Sequence, residues 1–266
     1  MSETGFISVP GNRKLHWSRT GAAGDHTLVF VHALGCDLHL WQLVGDSLPD
    51  RYQHLAYDLR GHGLSESGPA ESTLDDHVAD LVNLLDRLGL VTATLIGISV
   101  GGLIALAAAR RHPGRVRRLV LCCTGARIGT REGWTDRIAA VQTRGLESMA
   151  DSILPRWFAP DFATRQPAAY AAARAGLIRT PATGYVALCA ALRDADLGAE
   201  LVHITTPALV LSGELDVAAP PALGRALAAG LPRARFIQLP GVAHLPPIEQ
   251  PAGLAATIGR FLSSPS

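Results

Sequence analysis

The hydrophobic positions of this 266-residue chain fall into two rhythms that alternate. Residues 27–31, 92–96, 116–123, 208–211 and 235–239 are short, largely apolar runs that read as strands, 27–31 and 92–96 rich in β-branched residues. The unbroken run at 27–31 marks a strand buried on both faces of a parallel sheet, and 116–123 reads as another buried strand. A shorter strand fits 54–57. At the N-terminus, 6–9 and 15–18 alternate apolar and polar residues around Pro10-Gly11-Asn12, the pattern of an antiparallel hairpin at a sheet edge. Between the runs, apolar residues recur at helical spacing. Val78, Leu81, Val82, Leu85 and Leu88 form one such stripe, opened by Ser72-Thr73-Leu74-Asp75-Asp76 and closed by Gly89. Further helices are expected over 38–48 (stopped by Pro49), 103–110, 220–229 and 251–262. Strands alternating with helices predict an α/β fold with right-handed crossovers.

Residues 125–200 break this alternation. They hold no apolar run of strand type and read instead as helices over 134–143, 146–158, 168–178 and 184–192, separated by Pro and Gly. The expected organisation is a core made of 1–124 and 201–266, with 125–200 inserted as a helical cap.

Composition narrows the function without naming it. With 48% hydrophobic and 18% charged residues and a formal net charge of +1, the chain has the make-up of an ordinary globular protein. It carries no basic tail or stripe, so nucleic acid and anionic membranes are not expected partners. No apolar stretch is long enough to span a bilayer, and Met1-Ser2-Glu3-Thr4-Gly5 lacks a signal pattern. Cys36, Cys122, Cys123 and Cys189 show no metal-type spacing. Reduced thiols and a cytoplasmic location are the expectation. Cys122 and Cys123, adjacent on one strand, are expected to point to opposite faces as core residues.

The candidate chemistry centres on Gly97-Ile98-Ser99-Val100-Gly101, which follows one buried strand and opens a small-residue helix. Gly-x-Ser-x-Gly in that context is a nucleophile turn. A serine hydroxyl needs a base, and the base needs a third group to hold its tautomer. In open α/β sheets such groups collect at the carboxyl ends of strands. Asp216 follows the next-to-last strand and His244 the last, so the order is Ser, acid, His. Glu214 is the nearest alternative acid. The oxyanion donors are then the N–H of Val100 and an N–H from His32-Ala33-Leu34-Gly35, with Leu34 preferred over Ala33. His32, Asp58, Arg60 and His62 read as residues that organise loops.

With these residues in place, the chain resembles the α/β-hydrolases from end to end. More narrowly it is similar to the 3-oxoadipate enol-lactonase family. The narrower similarity lies in 124–130 with Trp134 and Arg137, in Arg156-Trp157-Phe158, in 184–197, and in Ala243-His244-Leu245 with Ile248-Glu249-Gln250-Pro251. The chain departs from that family's usual residues at His32, Val100, Pro246 and Pro247. The resemblance implies an eight-stranded, mostly parallel sheet with helices on both faces, and hydrolysis of a small carboxylated enol-lactone without a cofactor or metal. A substrate carboxylate calls for arginine. Arg137, one helical turn beyond Trp134, is the first choice, and Arg127 a further one. Trp134 is either an apolar wall with an indole donor or an anchor for the cap. The same triad also serves a general carboxylesterase, a C–C hydrolase or a perhydrolase. A small-molecule receptor with residual turnover is a different class of reading. The partner expected in each case is a small molecule, and assembly into a homo-oligomer is left open.

Overall fold

The computed structural model describes residues 2–21 and 26–264; residues 1 and 265–266, the ends of the expected core, lie outside them. Eight strands form one sheet: β1 (Ser2–Val9), β2 (Arg13–Thr20), β3 (Thr27–Val31), β4 (Gln53–Tyr57), β5 (Ala93–Ile98), β6 (Val116–Cys122), β7 (Ala208–Gly213) and β8 (Ala234–Leu239). Their order is β1-β2-β4-β3-β5-β6-β7-β8. The β1–β2 and β2–β4 pairs are antiparallel and every other pair is parallel. Every residue of β3, β5 and β7 is buried, as their unbroken apolar runs require, whereas β8 alternates along its length, as an edge strand does.

Ten α-helices among the described residues complete the fold: α1 (Gln42–Asp46), α2 (Leu74–Arg87), α3 (Val100–Arg111), α4 (Arg131–Ile153), α5 (Phe162–Arg165), α6 (Pro167–Arg179), α7 (Ala182–Asp194), α8 (Pro221–Gly230), α9 (Pro246–Glu249) and α10 (Pro251–Ser263). The strand order dictates their layers. The chain moves one way from β3 to β4 and the other way from β4 to β5. Right-handed crossovers therefore put α1 on one face and α2, α3 and α8 on the opposite face. The packing agrees: α2 lies against α3, and α1 against α10. The reversal of direction at β3 is the topological switch where α/β sheets place their sites.

Register levels the strand ends. Val31 pairs with Gly97, and Cys122 with both Ile98 and Leu211, which in turn faces Ile237. Residues just beyond these pairs therefore share one rim. The segment between β6 and β7 is built of helices, α4 to α7, with short 3-10 turns at Leu154–Arg156 and Gly198–His203. The two helices expected over 134–158 run on as α4, broken at Gly145, whose φ of 73° belongs to the left-handed region.

Two local expectations are corrected. The helix over 38–48 is a 3-10 turn, Leu38–Trp41, followed by the single turn of α1. Asp37 caps that turn by accepting the His39 N–H, while Asp58 Oδ1 accepts the Leu38 N–H at 2.8 Å. The Ser/Thr-x-x-acid cap expected for α2 is present as a capping box of Thr73 with Asp76, and Ser72 donates to the Ala187 carbonyl. Cys123 leaves β6 with a φ of 46°, so its sulfur turns back to 3.9 Å from that of Cys122 rather than facing away; both thiols are free. No single helix among the described residues is long and apolar enough to cross a membrane.

The loop after β4 is held by buried polar groups. Asp58 Oδ2 accepts from His16 Nδ1 and the Leu64 N–H, and Arg60 Nε donates to Asp80 at 2.7 Å. His62 and His77 are fully buried, and burial lowers both to about 3. Unfolded histidines take up protons near pH 6.5, roughly the ordinary value. Between those pH values the unfolded chain binds more protons, so stability falls as pH drops through that window and is level above it. At pH 5 the two together remove on the order of 4 kcal/mol. Urea unfolding at pH 7 and pH 5 checks this; equal midpoints would contradict it. A His77→Gln variant is expected to lose about half of the pH dependence.

Candidate active site

Ser99 sits between β5 and α3 at φ 55°, ψ −123°, a conformation that strains any residue but glycine. The surroundings enforce it. The Ser99 N–H donates to the Cys122 carbonyl at 3.0 Å, and the Ser99 carbonyl accepts from Gly102, Leu103 and the Thr124 hydroxyl. A Cβ at Gly101 would come within 2.3 Å of the Val31 carbonyl oxygen, and one at Gly97 within 2.2 Å of the Gly101 oxygen. Glycines flanking the serine are thus required by close backbone approach. Ser99 Oγ has no hydrogen-bond partner among the described residues.

The loops after β7 and β8 bring Asp216 and His244 together. Asp216 Oδ2 accepts from His244 Nδ1 at 2.8 Å, and Oδ1 accepts the Ala218 and Ala219 N–H groups, both at 2.8 Å. One carboxylate oxygen shapes the turn and the other holds the imidazole. A carboxylate only accepts, so Nδ1 carries the proton and Nε2 is left as an acceptor. Glu214, the alternative acid, accepts the Gly241 N–H instead. Ser99 and His244 line one cavity of about 220 Å³.

The loop after β3 forms the opposite wall. Leu59 N–H donates to His32 Nε2 at 2.9 Å, which leaves Nδ1–H to donate to the Ala33 carbonyl at 2.7 Å. Burial lowers the His32 pKa and keeps this neutral tautomer. Ala33 and Leu34 both line the cavity. Among the described residues no protein acceptor takes the Leu34 or Val100 N–H. Val100 opens α3, whose dipole favours negative charge there.

The helical segment supplies the roof through Trp134, Arg137, Arg156, Trp157 and Tyr185. Arg137 donates to the Tyr185 hydroxyl at 3.3 Å, and Arg156 to the Val217 carbonyl at 3.4 Å. Neither has a carboxylate partner among the described residues. Arg131, Arg165 and Arg174, by contrast, pair with Asp194, Asp161 and Asp151. Arg127 does not line the cavity; it faces Asp196 at 3.7 Å, half exposed. Trp134 gives a wall but not a donor, because its indole N–H is bonded to the Ile128 carbonyl at 2.6 Å. The turn at Gly129, with φ of 71°, brings the chain tight beneath that ring. Trp157 and Tyr185 are named by the family resemblance alone, Arg156 also as one of the eight arginines of 125–180, and only the docking of the helices brings all three to the cavity.

The pattern of the chain has its counterparts among known proteins. The sequence profile of the α/β hydrolase fold matches residues 26–251. The chain belongs to the α/β-hydrolase family. It is 32% identical to 3-oxoadipate enol-lactonase 2 of Acinetobacter baylyi over 89% of this chain and 88% of that one. The crystal structure of the enol-lactonase from Burkholderia xenovorans LB400 superposes with a TM-score of 0.95 at 37% identity, covering 98% of this chain and all of the other. A thermophilic esterase from Thermogutta terrifontis, solved with malate bound, gives a TM-score of 0.91 at 28% identity and 98% coverage of both chains.

One further cluster borders the site of this hydrolase fold. The Cys123 thiol, the Asp216 carboxylate and the His244 ring lie within 4.8 Å of one another, a donor set of metal-binding types. The Asp216–His244 hydrogen bond uses the facing lone pair and proton, and burial raises the thiol well above its ordinary pKa. The set is therefore arranged as an acid–base pair beside a protonated thiol.

Proposed function

We propose that this chain is a serine hydrolase that opens a small carboxylated enol-lactone, 3-oxoadipate enol-lactone or a close analogue. The observation that carries the reading is the Asp216–His244 pair at 2.8 Å beside Ser99, in a cavity that two arginines without carboxylate partners also line. The similarity to two enol-lactonases supports the substrate class. The cavity of about 220 Å³ is below the range for drug-sized ligands and suits a single small ring.

In this reading Ser99 Oγ attacks the lactone carbonyl while His244 Nε2 takes its proton. Asp216 stabilises the imidazolium without itself accepting that proton. The N–H groups of Val100 and Leu34 hold the oxyanion. Collapse breaks the ring C–O bond and expels an enolate, which His244 protonates. His244 then removes a proton from water, which attacks the acyl-enzyme and frees Ser99. The enol product tautomerises to the ketone, so ring opening does not reverse. Residues 125–200 act as a cap that closes the site and presents the arginines.

The test is the loss of enol-lactone absorbance with purified protein, measured beside uncharged nitrophenyl esters. Strong preference for the lactone supports the reading; ester turnover without lactone turnover keeps the hydrolase and discards the substrate. The malate-bound esterase favours a second reading, hydrolysis of open-chain esters that carry a carboxylate. Both readings need a cation for the substrate. Replacing Arg137 with alanine is expected to raise KM for the carboxylated substrate roughly ten- to a hundred-fold, the size of a lost charge-assisted hydrogen bond. KM for an uncharged ester should stay near the parent value. Equal rises on both substrates would remove Arg137 from carboxylate binding, and Arg156→Ala tested in parallel shows whether the second guanidinium takes that role.

A further inference from the structure

We propose that Glu249 is a positioning residue for His244, clamping the histidine loop to the helical cap so that the base stands in working position only when the cap segment 157–159 is seated. The proposal rests on the reading of His244 as the base. It starts from four hydrogen bonds. Glu249 Oε1 accepts the Ala243 N–H at 2.8 Å, one residue before His244. Its other oxygen, Oε2, accepts the Ala159 N–H at 2.9 Å, from the cap. Two residues earlier in the cap, the Trp157 carbonyl accepts both the His244 and the Leu245 N–H, each at 3.1 Å. The backbone on either side of His244 is thus bonded to one short stretch of the cap, directly on one side and through a single carboxylate on the other. That same stretch follows Arg156, and both Arg156 and Trp157 line the cavity. Whatever seats the stretch against substrate also sets the histidine.

The chemistry of the clamp needs a carboxylate. Two N–H donors point at two oxygens, and an amide in that place would turn an NH₂ group on one of them. Glu249 is half-buried and its pKa is raised by desolvation, opposed by the two N–H bonds. The charged groups facing it are Arg165 of α5, which favours its ionised form, and Asp216, which disfavours it.

The experiment compares Glu249→Gln and Glu249→Asp with the parent on an uncharged nitrophenyl ester, so that failure of the enol-lactone reading does not affect it. His244→Ala serves as control; retained activity there would defeat the base assignment itself, separately from the clamp. For Glu249→Gln we expect kcat per folded molecule to fall roughly ten-fold, as for a buried N–H left unpaired. KM should stay within about two-fold, because the carboxylate holds the base and not the substrate. Glu249→Asp keeps both acceptor oxygens, so it should restore part of the lost kcat, held below the parent by its shorter reach. Parental kcat in a folded Gln variant, or a loss carried by KM instead of kcat, overturns the proposal. If the Gln variant does not fold, the Asp variant decides: reduced kcat at parental KM supports the clamp, and parental kcat overturns it.

Discussion

Ser99→Ala is expected to remove hydrolysis almost completely, with kcat down by roughly 10⁴- to 10⁶-fold, the range for loss of an activated nucleophile. In the proposed mechanism the oxygen removed is the atom that forms the acyl-enzyme. The thiol grouped with Asp216 and His244, that of Cys123, is buried and held protonated. The fold should survive. Ser99 Oγ has no hydrogen-bond partner among the described residues, so its removal leaves no buried group unpaired. Alanine meets the φ of 55° with strain similar to serine, and the flanking glycines are untouched. Circular dichroism melts of parent and variant should coincide. A fluorophosphonate probe should label the parent and leave the variant unlabelled. Turnover within a hundred-fold of the parent, from folded protein, would defeat the assignment of Ser99.

The parts of this site that sequence disclosed are those fixed by local sterics or by position along the sheet. The Gly-x-Ser-x-Gly turn is legible because no other residues fit against the Val31 and Gly101 carbonyls. Asp216 and His244 are legible because parallel register brings strand ends to one rim, so a residue in the loop just past a strand has a known address. The doubly buried strands declare themselves for the same reason, by having no polar face. What the sequence pattern does not disclose depends on how the helical segment docks. Arg137 and Arg127 are both plausible cations by spacing; one lines the cavity and the other meets Asp196. The indole of Trp134 satisfies itself on Ile128, a bond set by the turn at Gly129 rather than by any helical period. The backward turn at Cys123 and the double hold of Glu249 are likewise tertiary facts. Each rests on a backbone group whose partner is far away in sequence or on a local φ that apolar periodicity does not encode.

Asp216→Asn is the sharper test of the relay, because the two oxygens of this carboxylate have separable duties. Oδ1 holds the turn through the Ala218 and Ala219 N–H groups, and Oδ2 holds the His244 Nδ1 proton. An asparagine can keep its carbonyl oxygen on the turn, where two donors demand an acceptor. Its NH₂ group then faces Nδ1. Two donors cannot share that contact, so the imidazole must move its proton to Nε2 and present Nδ1 as the acceptor. In that tautomer Nε2 has no lone pair for the Ser99 proton. The base is lost although every heavy atom stays in place, and kcat is expected to fall about 10⁴-fold with little change in melting temperature. Asp216→Ala separates the duties from the other side. It strips the turn of its acceptor, leaves the buried Ala219 N–H and the half-buried Ala218 N–H unpaired, and should lower stability by about 2 kcal/mol in addition to the loss of activity. If the asparagine variant instead keeps activity within ten-fold of the parent, Asp216 serves the turn alone, and another group must orient His244. Loss of activity in both variants, with loss of stability in the alanine variant only, is the pattern that a carboxylate with one structural and one catalytic oxygen produces.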